Sequence, residues 1–115
     1  MTQKFQRIKT LLSVSLLALG VLATGAHATV DEDAAKALAK KNDCFKCHAI
    51  DKEKKGPSYK KIAAKYKGNA KAEAMLVDKV KKGGTGVWGQ IPMPPNAAVK
   101  DEDIKTLVKW ILATK

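Results

Sequence analysis

The chain is poor in the residues on which many small proteins rely. Its 115 residues include two cysteines, Cys44 and Cys47, and two histidines, His27 and His48. A structural zinc site draws four ligands from two chain segments. With no third cysteine, and with His27 in a segment expected to be removed, that site cannot be assembled. Aromatic residues make up 5% of the chain, and no basic helix is interleaved with stacking rings, so nucleic acid is not an expected partner. No run alternates polar and apolar residues as a half-buried strand does. Repeats and low-complexity segments are absent. The apolar run from Leu11 to Ala23 is thirteen residues long, short of the roughly 20 needed to cross a bilayer.

That run does have the layout of an export signal. Lys4, Arg7 and Lys9 precede it, and Ala26-His27-Ala28 follows as a small-x-small cleavage site. Cleavage is expected after Ala28, giving a leader at 1–28 and one domain at 29–115. The expected address is periplasmic, and the mature chain is not expected to span the membrane. The leader carries three of the 22 basic residues and none of the 11 acidic ones, so the domain keeps 19 against 11, a net charge of +8. Many of these lysines need only be solvated surface. Lysines around an exposed reactive edge would also speed encounter with an acidic partner, with a rate that falls as salt rises.

The remaining periodic stretches are helical. Residues 31–42 open on Asp31, Glu32 and Asp33, suited to the positive end of a helix dipole, and continue through alanines that let another helix approach closely. Gly56-Pro57 is expected to open a second helix with proline at its first position, carrying Tyr59, Ile62, Ala63 and Tyr66 on one face. Asn69 is the expected cap of a third, with Ala72, Met75, Leu76 and Val80 as its stripe and Gly83-Gly84 as its end. The last runs from Asp101 to Ala113, with Ile104, Leu107, Val108 and Ile111 as a buried stripe and Trp110 beside it. The expected fold is all-α, about four short helices.

Cys44-Phe45-Lys46-Cys47-His48 carries the chemistry. Two thiols at this spacing followed at once by an imidazole form the attachment site of a c-type haem. Each thiol can add to one porphyrin vinyl group, and the imidazole then stands beneath the iron. A Cys44–Cys47 disulfide is the plainer alternative. A thioredoxin-like dithiol would need a strand-helix-strand context, which the sequence lacks. A domain of 87 residues has a marginal core of its own. A covalently held haem c would complete it, so the haem-free chain is expected to be largely unfolded. Gly84, Gly86 and Gly89 match G-x-G-x-x-G, but a helix precedes them and Ile91-Pro92-Met93-Pro94-Pro95 follows, so a flexible turn against the cofactor is expected rather than a nucleotide site.

A second axial ligand separates an electron carrier from an open gas-binding or catalytic centre. After cleavage His48 is the only histidine, so two histidines cannot come from one chain. Met75 and Met93 are the soft donors, with lysines as weaker possibilities. Met75 falls on a helical stripe, where methionine commonly fills core space. Met93 lies between Pro92 and Pro94-Pro95, on backbone whose φ angles are restricted. A thioether held rigidly on iron in both oxidation states would keep rearrangement on electron transfer small. An open-site peroxidase or gas-binding protein is the alternative, although no second histidine is present to act as distal acid or base.

Cys44-Phe45-Lys46-Cys47-His48-Ala49-Ile50, Gly56-Pro57, Gly86-Val87-Trp88-Gly89 and Ile91-Pro92-Met93-Pro94-Pro95-Asn96, in this order, resemble class I bacterial cytochromes c of the cytochrome c-551 (c8) group. The resemblance implies His48 and Met93 as axial ligands and the Pro57 carbonyl as acceptor for His48 Nδ1–H. It implies that Asn96 donates to the Met93 sulfur and Trp88 to a haem propionate. Lys79 stands where better-known members have an arginine near that propionate, a point donor in place of a fork. It also implies a non-enzymatic electron carrier, and nothing in the sequence suggests other than a monomer. The implied partners are a quinol-cytochrome c oxidoreductase, nitrite reductase, a terminal oxidase or a cytochrome c peroxidase, docking through acidic surfaces.

Overall fold

The computed structural model describes Gly20 and residues 30–115, and the expected leader and its cleavage site lie outside these residues. Helix α1 spans Glu32–Lys41. Its N-cap is Asp31, whose Oδ1 accepts from Ala34 N at 3.1 Å, with Glu32 and Asp33 in the first turn and Lys40 and Lys41 in the last. Asn42 closes the other end by donating Nδ2 to Leu38 O at 2.9 Å. The chain then turns at Asp43, which takes a left-handed φ of 59°, a conformation that Asp tolerates better than most residues. A 3-10 turn at Cys44–Lys46 follows.

Helix α2 is Tyr59–Lys65, and it starts two residues later than the proline rule suggested. Ser58 is its N-cap, accepting from Lys61 N at 3.1 Å. The loop carbonyls of Ala49 and Ile50 take the Tyr59 and Lys60 amides at 2.9 and 3.0 Å. Pro57 therefore stays outside the helix, with its carbonyl turned to another partner. Helix α3, Ala72–Lys82, is also capped differently: Lys71 is the N-cap, and Asn69 forms a turn just before it, its Oδ1 accepting from Lys71 N at 2.9 Å. Gly83 ends α3 at φ 70°, where a side chain would collide with the Met93 carbonyl and the Pro94–Pro95 backbone.

The glycines Gly84, Gly86 and Gly89, expected to form a flexible turn, instead belong to a small antiparallel hairpin over residues 84–93. Strand β1 is Gly84–Gly86 and β2 is Gly89–Met93, with Gly86 paired to Gly89 across Val87-Trp88. Gly86 and Gly89 take φ of 103° and 110°, which lets two residues reverse the chain. Periodicity gave no warning, because the strands are too short and exposed to alternate. Pro92 is tolerated because neither strand of a two-stranded ribbon is central. The molecule remains all-α in class.

Helix α4, Asp101–Ala113, is the hub, packing against α1, α2 and α3. Ile104, Leu107, Val108 and Ile111 are buried as the stripe requires, and Trp110 is buried with them. Ala35 and Ala39 on α1 are fully buried in the same cluster as Tyr59, Ile62, Leu107, Trp110 and Ile111. Among the described residues, no helix is long and apolar enough to cross a membrane.

Candidate functional site

An open cleft lies between the Cys44–His48 segment, α3 and the hairpin. It brings together all eight residues singled out above: Cys44, Cys47, His48, Pro57, Lys79, Trp88, Met93 and Asn96. Met75 lines it as well. Leu76, Val80, Leu107, Val108 and Ile111 supply an apolar wall. Among the described residues, the four exposed large hydrophobics, Met75, Val87, Trp88 and Ile91, all line this one cleft. Such a concentration of apolar surface marks a ligand groove.

The 3-10 turn sets the thiols and the imidazole. His48 N donates to Cys44 O at 3.0 Å, closing the loop that carries both cysteines. Cys44 and Cys47 are half-buried and not joined to each other. Burial pushes the Cys44 thiol up, with a smaller opposing effect from the Tyr59 hydroxyl. A catalytic dithiol needs the reverse shift, toward thiolate.

His48 Nδ1 lies 2.7 Å from Pro57 O. A carbonyl can only accept, so Nδ1 carries the proton and Nε2 keeps a free lone pair. Gly56 makes room for this: a Cβ there would come within 2.6 Å of His48 Cε1 and 2.9 Å of Nδ1. Sequence reasoning had assigned Gly56 no such role. Tyr59 was assigned only to a core stripe, yet its ring stacks on the imidazole at 5.4 Å and 25°. No one-dimensional signal distinguishes that contact from ordinary core packing.

Met93 is half-buried at the end of β2. Its loop is tied back to α3, because Asn96 donates Nδ2 to Val80 O at 3.1 Å and to Pro94 O at 3.3 Å. The partners of the amide in this structure are these two carbonyls. The amide here satisfies loop backbone that proline cannot pair. Trp88 is not a core tryptophan. It is exposed on the hairpin, with the Lys65 ammonium 5.4 Å from its ring. That contact, joining α2 to the hairpin, was not legible in the sequence. Lys79 is half-buried, and its Nζ lies against Gly84, where a Cβ would stand 2.8 Å away.

The donor set fits a covalently held haem: two free thiols, an imidazole held by its Nδ1 so that Nε2 can serve as a donor, a thioether, and a broad apolar wall. Among the described residues, no group of three or more His, Cys, Asp or Glu side chains could hold a bare metal ion.

Comparison with known proteins agrees. The family model for cytochrome c matches residues 32–115. Cytochrome c-551 of Pseudomonas aeruginosa is 52% identical over 103 residues, covering 89% of this chain and 94% of the relative. Cytochrome c-552 of Nitrosomonas europaea is 47% identical over 98 residues, covering 85% and 91%. The crystal structure of the wild-type Nitrosomonas europaea cytochrome c552 superposes with a TM-score of 0.68 at 51% identity, covering 70% of this chain and 99% of that one. The chain therefore belongs to the cytochrome c family, and is an electron carrier with one covalently bound haem c rather than an enzyme.

Proposed function

We propose that this protein is a soluble periplasmic shuttle. It moves one electron at a time from a membrane quinol-oxidising complex to a terminal reductase or oxidase, with a haem-containing nitrite reductase among its acceptors. Residues 1–28 serve as the cleaved leader and 29–115 as the working domain. The bound haem supplies the one-electron iron couple, and the chain supplies attachment, ligation and surroundings.

Cys44 and Cys47 are assigned to the two thioether links. His48 Nε2 and Met93 Sδ would hold the iron. The Pro57 carbonyl holds the His48 proton on Nδ1, which fixes the tautomer and strengthens Nε2 as a donor. Asn96, through Val80 O and Pro94 O, keeps the Met93 loop on α3, so the thioether need not move between oxidation states. Trp88 and Lys79, on the cleft wall, are assigned to the propionates. Lys55 and Lys79 at the cleft, within a domain of net charge +8, favour an acidic docking surface on the partner.

The gathering of Cys44, Cys47, His48 and Met93 around one apolar cleft carries this reading. The visible spectrum tests it. Wild-type holoprotein is expected to be low-spin, with a ferric sulfur-to-iron charge-transfer band. Met93→Ala is expected to lose that band and to bind carbon monoxide when reduced. A wild-type ferrous protein that binds carbon monoxide readily would instead mark an open-site haem protein.

A further inference from the structure

We infer that Tyr59 is a positioning residue for His48: its ring sets the tilt of the imidazole plane and so the orientation of the ligand that the iron experiences. The inference rests on the assignment of His48 as axial ligand. The terminal torsion of a histidine is broad and roughly two-fold, so the side chain does not choose its own plane sharply. The hydrogen bond from Nδ1 to Pro57 O pins one ring atom. That hydrogen bond and a bond at Nε2 are both soft in angle, so small tilts of the ring about the Cβ–Cγ bond remain weakly restrained. A flat, immobile surface against the ring removes that freedom.

Tyr59 provides such a surface. Its ring lies 5.4 Å from the imidazole centroid at an interplanar angle of 25°, an offset-stacked arrangement. Tyr59 is 2% exposed, so it has no space in which to yield. Trp110 meets it edge-on at 5.3 Å and 76°, and Phe45 leans on it at 6.1 Å and 48°. Phe45 also meets Trp110 at 6.4 Å and 87°. Three rings from the 3-10 turn, α2 and α4 thus brace one another, and one of them bears on the ligand. Gly56 leaves the imidazole no slack on its own side, since even a methyl group there would overlap the ring. The contact is made by the ring face, so the hydroxyl is dispensable for it.

Ferric electron paramagnetic resonance of the holoprotein tests this, because its anisotropy follows ligand orientation, whereas a loss of packing that leaves the ligands in place does not alter it. Tyr59→Phe is expected to keep the wild-type signal. Tyr59→Leu and Tyr59→Met are expected to shift or broaden it, while the low-spin spectrum shows both ligands still bound. Ile104→Ala, a fully buried change on α4 outside the cleft, is expected to cost stability and leave the signal unaltered. An unchanged signal in Tyr59→Leu or Tyr59→Met overturns the inference. Should neither variant fold, nuclear Overhauser contacts between the Tyr59 and His48 rings in reduced wild-type protein decide, and their absence overturns it equally. A wild-type protein without the low-spin spectrum would be a different failure, that of the ligand assignment itself.

Discussion

Lys81 shows how a single side chain links two helices. Its Nζ lies 2.8 Å from Asp101 Oδ1 and 2.9 Å from Val99 O, tying the end of α3 to the start of α4. The hydrogen bond from Lys81, then its charge, hold the Asp101 carboxyl below its ordinary range. A folded pKa below the unfolded one favours folding while the group is ionised. That contribution is present in full above the unfolded value and is lost as pH falls through the folded one. The carboxylate side chain is 70% exposed, so the effect is small and screened by salt. Asp101→Asn is expected to melt slightly below wild type at neutral pH and low salt, with the gap closing in acid. A gap that persists in strong acid would assign it to something other than ionisation.

Residues differ in how much of their role a sequence displays. The gathering of Cys44, Cys47 and His48 at one cleft was legible because covalent spacing alone keeps them together. Asn96 was not, because its partners Val80 and Pro94 were chosen by the path of the loop. The contact of Lys65 with Trp88 spans two elements that no local pattern connects.

Among the elements, α1 and α4 make the clearest packing claim. Ala35 and Ala39 are fully buried where the helices meet, so their small size is a requirement of the interface. Ala39→Leu is expected to cost about 1–3 kcal/mol through overpacking. Ala37→Leu, on the exposed side of the same helix, is expected to stay within about 0.5 kcal/mol of wild type. Guanidinium titration of the holoproteins measures both, and equal costs would show that the alanines are not there for close approach. Helix faces were read well from periodicity, as were the starts of α1 and α4, while the starts of α2 and α3 were not. The free amides of α2 found the carbonyls of Ala49 and Ile50, and Pro57 was drawn away by His48. Such competition among polar partners is settled only once distant segments meet.

For the molecule as a whole, the cleft interrupts the core. Leu107 and Ile111 belong to the buried cluster and also form its wall, while Met75, Val87, Trp88 and Ile91 expose apolar surface toward it. A domain this small has little other apolar surface to bury. The Cys44→Ala, Cys47→Ala double variant, unable to hold the haem, is expected to be largely unfolded by far-UV circular dichroism. A fully helical product with a cooperative melt would show that the polypeptide folds without its cofactor.

The amino-acid sequence alone determined which atoms bear the chemistry, which faces of the helices are apolar and how strongly basic the surface is. These follow from side-chain identity and from short-range spacing, which the backbone enforces within a turn or two. The tertiary structure decided where Asn96 directs its amide, that the glycine-rich segment is a hairpin, and that an aromatic cluster bears on the imidazole. Each is a choice among chemically similar partners, and packing selects among them.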